Sequence, residues 1–234
     1  MVCLAIPVIN RPDLLRKCLR SIDYPVDVLV IDNSGEGFAH EIAMEAYADR
    51  KFDSFTVIEP HTNLGVAGSW NFAIQSRPAD PFWLFANADT QFGKGDIASV
   101  VSEMEQGGPK WVGVNGDWRL MGLTAEAVEI VGFFDEGFFP IYMEDCDYEW
   151  RCTVAGVPWS FITGTSTHVG SAAIQFNPRF AARNSETYPA NRQRYLEKWG
   201  GSQRGGEVFR TPWNKGGWIG DWPMRLAPFR DQKW

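Results

Sequence analysis

The sequence has no apolar run near the roughly 18 to 20 residues of a membrane span. Ahead of the strand-like stretch from Val2 to Val8 there is no basic segment followed by an apolar stretch and a cleavage site, so a secretory signal is not expected. Histidine is scarce, at 3 residues, and the 4 cysteines, Cys3, Cys18, Cys146 and Cys152, form no CxxC pair, which disfavours a zinc cluster or a disulfide framework. Buried thiols in a reducing, cytoplasmic setting are the expectation. A Walker-type phosphate loop is missing, and so is GxGxxG after the first strand; an NTPase, a dinucleotide dehydrogenase and a nucleotidyltransferase are disfavoured accordingly. No internal repeat is present, and no linker marks a second independent domain.

What is present is a chain of 234 residues, long enough for a substantial core, in which 11 Trp and 16 Phe argue against a solvating, disordered polymer. The net charge of -7 disfavours nucleic acid or an anionic membrane as a general partner, but the charge is unevenly spread. Residues 1–177 hold 11 Lys and Arg against 24 Asp and Glu, whereas residues 178–234 hold 11 against 5. The expected division is an acidic core, 1–177, with a basic, Trp- and Arg-rich extension, 178–234, packed on it.

Short apolar runs at Cys3 to Val8, Val26 to Ile31, Ser54 to Ile58 and Phe82 to Phe85 are bounded by turn residues and read as buried strands. Helical stretches lie between them: Leu14, Leu15, Cys18, Leu19 and Ile22 at helical spacing, then Phe38 to Ala48, then Ala67 to Gln75. This alternation predicts an α/β fold, Rossmann-like in its first half, with a mostly parallel central sheet and helices on both faces. After Asp89 the pattern loosens. Strands are expected at Trp111 to Val114, Trp159 to Ile162 and Ser166 to Val169, a helix or strand at Thr124 to Val131, and helices at Glu144 to Ala155 and around Ala190 to Trp199. Trp213, Trp218, Trp222 and Trp234 follow without a constant period.

Open α/β sheets bind ligands beyond the carboxyl ends of their strands. Those ends here read Pro7 to Arg11, Asp32-Asn33-Ser34-Gly35, Asn63-Leu64-Gly65 and Asn87-Ala88-Asp89. Asn87 and Asp89 suit a hard cation carrying a diphosphate, which needs only one or two carboxylates; they are equally ordinary turn residues. Glu144, Asp145, Asp147 and Glu149 place four carboxylates within six residues behind the apolar stretch from Val131 to Ile141. They read either as helix capping or as a general base at the edge of an apolar cavity. His168 reads as a structural residue or a ligand. Trp70, Trp118 and Phe138 are candidate cavity-lining aromatics.

In order and spacing, Pro7 with Asn10-Arg11, Val30 to Ser34, Asn63-Leu64-Gly65 followed by Asn71, Asn87-Ala88-Asp89, and Glu144-Asp145-Cys146-Asp147 with Arg151 resemble the family 2 glycosyltransferases of GT-A fold, over roughly residues 1 to 170. The resemblance implies transfer of a hexose from a nucleoside-diphosphate sugar, such as a UDP-sugar, to an acceptor hydroxyl by single displacement with inversion. It also implies that Asp32 and Asn63 contact the base and ribose and that Pro7, Asn10 and Arg11 wall the nucleotide pocket, with Asn33, Gly65, Asn71 and Asn87 on the same donor side. Asp89 stands at the last position of the Asp-X-Asp motif, Asn87 replacing its first Asp, and would bind manganese or magnesium. His168, 23 residues beyond Asp145, matches a further metal or diphosphate ligand in some members. Asp145 would be the general base, and Glu144 would orient the acceptor or the base.

The acceptor is expected to be a surface or cell-wall glycan or a protein. Alternatives are a lipid-linked phosphate, or DNA carrying a hydroxylated base, which the arginines and aromatics of the extension would suit. A non-catalytic sugar-nucleotide-binding protein is a further alternative. The extension is the segment expected to meet the acceptor.

Overall fold

The computed structural model describes residues 2–49 and 51–210. Strands β1 (Val2–Val8), β2 (Val26–Asp32), β3 (Ser54–Ile58), β4 (Phe82–Ala86), β6 (Trp111–Val114), β7 (Asp117–Thr124) and β8 (Trp159–Ile162) form one sheet in the order β3-β2-β1-β4-β7-β6-β8. The pairs β1–β2, β1–β4, β2–β3 and β6–β8 are parallel; β7 runs antiparallel to both β4 and β6. Two short strands, β5 (Thr90–Gln91) and β9 (Thr167–His168), make a separate antiparallel ribbon.

Period-two alternation sorts the core into two layers. Leu4, Ile6, Val28, Val30, Leu84 and Ala86 face α1 (Pro12–Arg20), α2 (Ala39–Ala48) and α4 (Asp96–Glu105). Cys3, Ala5, Leu29, Ile31, Trp83 and Phe85 face α3 (Gly65–Ser76), α5 (Ala125–Val131) and α6 (Glu144–Ala155). Both faces are covered, which is why these strands read as continuous apolar runs. On the second face, Trp70, Phe85, Trp118, Phe134 and Tyr148 form a chain of ring contacts, with Phe134 on Tyr148 at 4.3 Å and Trp70 on Trp118 at 5.8 Å. Such pairs contribute about 0.5–1.5 kcal/mol each beyond area burial.

The first four strands and three helices fall where the sequence places them, within a few residues. Four elements after Asp89 were not expected: β5, α4, β7 and the short helix α7 (Ala172–Gln175). Strand β7 carries Asp117, Arg119 and Gly122 among its apolar residues, so it presents no continuous hydrophobic run. The stretch from Thr124 resolves into helix α5, capped by the Thr124 side chain accepting from the Ala127 amide. A four-residue helix, α7 (Ala172–Gln175), precedes α8 (Pro178–Trp199), which starts at Pro178 rather than near Ala190. Asn177 caps α8 by accepting from the Arg179 and Phe180 amides, and Pro178 occupies its first turn, where a missing N–H costs nothing.

Helix α8 docks through Tyr195 and Trp199, both buried with Phe138 and Met143. Lys198 reaches Asp135 at 2.8 Å and Asp147 at 2.7 Å, and the Trp199 indole donates to Asp147 at 2.8 Å. Trp213, Trp218, Trp222 and Trp234 lie outside the described residues. Among the described residues, no helix is long and apolar enough to cross a membrane.

Candidate active site

At the carboxyl ends of β1, β2 and β4 the loops open onto a cavity of about 330 Å³. Pro7, Asn10, Arg11, Asn33, Asn63, Gly65, Asn87, Asp89, Asp145 and His168 all line it, gathered from positions spread along the chain.

The loops are tied to one another before any ligand is considered. Asn33 Oδ1 accepts from the Leu64 amide at 2.8 Å while its Nδ2 donates to Ser69 Oγ at 3.0 Å, joining the end of β2 to the start of α3. Asn63 Oδ1 accepts from the Gly65 amide at 2.8 Å. Gly65 has φ +71°, and a Cβ there would meet Pro140 O at 2.8 Å and the Phe139 ring at 2.9 Å. Glycine is required twice over, for its backbone conformation and for the close approach of the 139–142 segment. Asn10 Nδ2 donates to Ala173 O at 2.9 Å, whereas its buried Oδ1 has no partner. A buried acceptor of this kind costs roughly 1–3 kcal/mol unless a ligand donor meets it.

The loop after β4 runs directly into β5, where Thr90 pairs with His168 of β9. This ribbon pairs His168 with the residue that follows Asp89, a relation that the separation in sequence conceals. Asp89 Oδ2 accepts only a long contact from the Ala172 amide, at 3.5 Å. Asp117 and Arg119, two apart on β7 and therefore on one face, also line the cavity. Arg119 Nε donates to Asp117 at 2.7 Å and its Nη1 to Ser166 O at 2.8 Å; His168 Nδ1 lies 4.0 Å from Asp117 Oδ2. Burial alone would raise the Asp117 pKa, but the Arg119 hydrogen bonds and charge outweigh it and hold it below its ordinary value. Sequence reasoning missed Asp117 and Arg119; the Asp-x-Arg spacing on a strand was the available signal.

On the far side, Tyr142 and Met143 both adopt φ +78°, rare for residues with a Cβ, and turn the chain into the N-terminus of α6. Asp145 faces the cavity from the first turn of that helix. Part of its surface opens to the cavity, yet it sits deep enough that burial pushes its carboxyl pKa up, against the amide and thiol of Cys146 and the charge of Arg204, which act to lower it. Glu144 is fully enclosed, and burial, reinforced by the Asp145 charge, raises its pKa well above the ordinary range. Its Oε2 has no partner.

Three predicted residues do not reach the cavity wall. Asp32 is buried and spends both oxygens on its own loop, accepting from the Ser34 amide at 2.9 Å and the Ala39 amide at 3.2 Å. Asn71 pins α3 to the following loop, donating to Phe134 O at 3.0 Å and Glu136 at 2.7 Å and accepting from the Phe134 amide at 2.9 Å. Glu144 lies behind Asp145. Of the aromatic candidates only Trp118 lines the cavity, its indole donating to Glu149 at 2.7 Å; Trp70 and Phe138 are buried in the core.

As for a metal, no group of three or more His, Cys, Asp or Glu side chains among the described residues could hold an ion alone. One carboxylate, Asp89, and one imidazole, His168, lining the same cavity are nonetheless a donor set that suits manganese or magnesium completed by diphosphate oxygens and water.

No curated protein matches the chain. Among solved structures, a mannosyltransferase from Pyrobaculum calidifontis in complex with GDP-Man and Mn2+ superposes with a TM-score of 0.64 at 13% identity, covering 100% of this chain and 76% of that one. TarS from S. aureus superposes with a TM-score of 0.56 at 14% identity, covering 98% of this chain and 44% of that one. TarS residues 1-349 in complex with UDP-GlcNAc give 0.51 at 14% identity, over 98% and 73%. At these identities the likeness shows the fold, the GT-A type of α/β architecture. The family model described as Glycosyl transferase family 2 matches residues 3–150. That match runs from β1 into α6 and takes in the loops that close the cavity at the ends of β1, β2 and β4, and the chain belongs to glycosyl transferase family 2.

Proposed function

We propose that the protein is an inverting, metal-assisted hexosyltransferase that uses a nucleoside-diphosphate sugar. The observation that carries this reading is the convergence of Asn63, Asn87, Asp89, His168 and Asp145 on one cavity. Asn10 and Asn63, with Pro7 and Arg11, form the nucleotide wall, the unpartnered Asn10 Oδ1 accepting from the donor substrate. Asp89 and His168 would hold manganese or magnesium, which supplies neutralisation of the charge that grows on the departing diphosphate. Asp32, Asn33, Gly65 and Asn71 act through the loops they fix rather than by contact with the base.

Asp145 accepts the proton of the acceptor hydroxyl as its oxygen attacks the anomeric carbon. The bond to the nucleoside diphosphate breaks with its electron pair leaving on the phosphate oxygen, and configuration inverts. A carboxylate raised in pKa by burial is a stronger base once ionised, so its environment suits this task. Glu144, buried behind it in the first turn of α6, orients the base. Four free cysteines, three of them buried, support a reducing, cytoplasmic setting.

The test is release of nucleoside diphosphate from a panel of GDP-, UDP- and dTDP-hexoses with Mn2+ or Mg2+. Turnover of at least one donor, its loss in Asp145→Asn and retention of donor affinity in that variant are expected. Undiminished turnover in Asp145→Asn would remove the base assignment.

A further inference from the structure

One wall of the cavity comes from α8, outside the segment matched by the family model. Phe180, Arg183, Asn184 and Thr187 line it, at the i, i+3, i+4, i+7 spacing of a single helix face. The buried Asn184 Oδ1 and Thr187 Oγ1 have no hydrogen-bond partner. Both residues line the cavity, and since these enclosed atoms are committed to no neighbour, a side-chain rotation makes them available to the hydroxyl groups of a ligand, which both donate and accept.

Charge adds a second requirement. Of the three arginines that line the cavity, Arg11 is paired with Asp13 at 2.7 Å and Arg119 with Asp117. Arg183 has no ion pair among the described residues; its guanidinium lies over the Phe139 ring, 5.5 Å from the centroid. Stacking on the ring orients the fork and leaves its edges for an anion. Phe180 beside it offers an apolar face, the usual complement of a polyol's carbon skeleton.

The same helix is fastened to the segment that leads to Asp145. Asn191 Nδ2 donates to Ile141 O at 3.0 Å and Tyr142 O at 3.3 Å, and the Tyr188 and Tyr142 rings meet at 5.3 Å. The α8 face and the base therefore share one support, whereas Asn33, Asn63 and Asn10 belong to the strand ends.

We propose that Arg183, Asn184 and Thr187 form the acceptor subsite, and that it takes a small sugar or polyol bearing a phosphate or carboxylate group. Asn184 and Thr187 bind its hydroxyls and Arg183 its anionic group, presenting a further hydroxyl to Asp145. Arg183, the single arginine without an ion pair among the described residues that line the cavity, fits one anionic group; a DNA backbone would call for several.

This inference rests on the transferase reading, and the experiment separates the two. With a saturating donor, turnover above the acceptor-free background is compared for glucose 6-phosphate against glucose and glycerol 3-phosphate against glycerol. The charged member of each pair is expected to show a KM lower by roughly tenfold or more, an advantage that Arg183→Gln erases. The double variant Asn184→Ala/Thr187→Val is expected to raise KM for charged and neutral acceptors alike. Equal KM within each pair, or an advantage retained in Arg183→Gln, would overturn the proposal. Turnover of hydroxymethylated DNA with none of the small anions would overturn it as well. If wild-type protein turns over no donor, the transferase reading fails; calorimetric titration with glucose 6-phosphate and with nucleoside diphosphate then still decides the subsite. Weaker glucose 6-phosphate binding in Arg183→Gln with unchanged nucleoside-diphosphate binding supports it. The reverse pattern would assign Arg183 to the donor diphosphate and refute it.

Discussion

The two walls of the cavity are built by opposite rules. On the strand-end wall Asn33, Asn63 and Arg119 are already held by backbone groups, and among the described residues of that wall only Asn10 keeps an unpartnered buried atom, so the loops are largely preorganised before a ligand arrives. On the α8 wall Asn184 and Thr187 hold polar atoms in reserve and Arg183 keeps its charge unpaired by any carboxylate among the described residues. A rigid wall suits a ligand part common to a whole family; a helix face whose side chains are uncommitted suits the part that differs between members. Between the walls sit Asp89 and Asp145, the two carboxylates whose placement both walls must serve.

The contrast can be broken at several strengths. The largest effect is expected from Asp145→Asn, which should lower kcat by about 10³-fold or more while donor affinity, measured by calorimetry, stays within a few fold. A comparable loss of donor affinity would instead place Asp145 on the donor wall. Next is the joint between α8 and α6. Asp147 is buried, receives Arg151 at 2.8 Å, Lys198 at 2.7 Å and the Trp199 indole, and removing it strands buried positive charge. Asp147→Ala should cost about 3–5 kcal/mol in chemical denaturation. A loss under about 1 kcal/mol would mean that α8 is held by its apolar contacts alone. Third, Asp89→Ala should weaken Mn2+-dependent donor binding by roughly ten- to a hundredfold, about 1.4–2.7 kcal/mol, while leaving metal-free binding as it was. Equal affinity with and without metal in the wild type would remove the metal from the donor wall.

The smallest effect is a divergence with pH. Burial raises the folded-state pKa values of Glu144 and Asp145, so folding favours their protonated forms. Their contribution to stability is present in full below the unfolded pKa and is lost as pH rises through the folded one. Asp145 must lose its proton to act, so kcat/KM rises across its part of the same interval. Stability and activity should therefore move in opposite directions above the ordinary carboxylate range. Asp135 is no confounder there. Burial would raise its pKa, but Lys198, the Gly137 amide and Arg194 hold it well below normal, so its contribution is lost only as pH falls to lower values. Parallel rises of melting temperature and kcat/KM with pH would contradict the assignment.

Much of the first 90 residues was legible because buried parallel strands leave continuous apolar runs and each ends in a loop of turn residues. Strand β7 was not, since Asp117 and Arg119 satisfy each other across one face and interrupt the apolar pattern. The first half of α8 was not either: its arginines and aromatics offered a basic surface for an anionic acceptor or for packing but no helical apolar period, and only packing reveals that Asn184 Oδ1 and Thr187 Oγ1 on the same turns are enclosed. Asp32 and Asn71 show the converse. The family resemblance placed them on the donor side, whereas nearby backbone groups and, for Asn71, the Glu136 carboxylate engage them instead.

By itself the sequence determined the alternation of strand and helix, the strand-end loops and the acidic start of α6, because these depend on local period and on residue chemistry at short range. Tertiary structure alone decided that His168 pairs with the residue after Asp89, that β7 enters the sheet antiparallel, and that a basic helix walls the cavity. Each of those depends on pairing between segments far apart in the chain, where the free energy comes from mutual burial and shared hydrogen bonds that no single segment encodes.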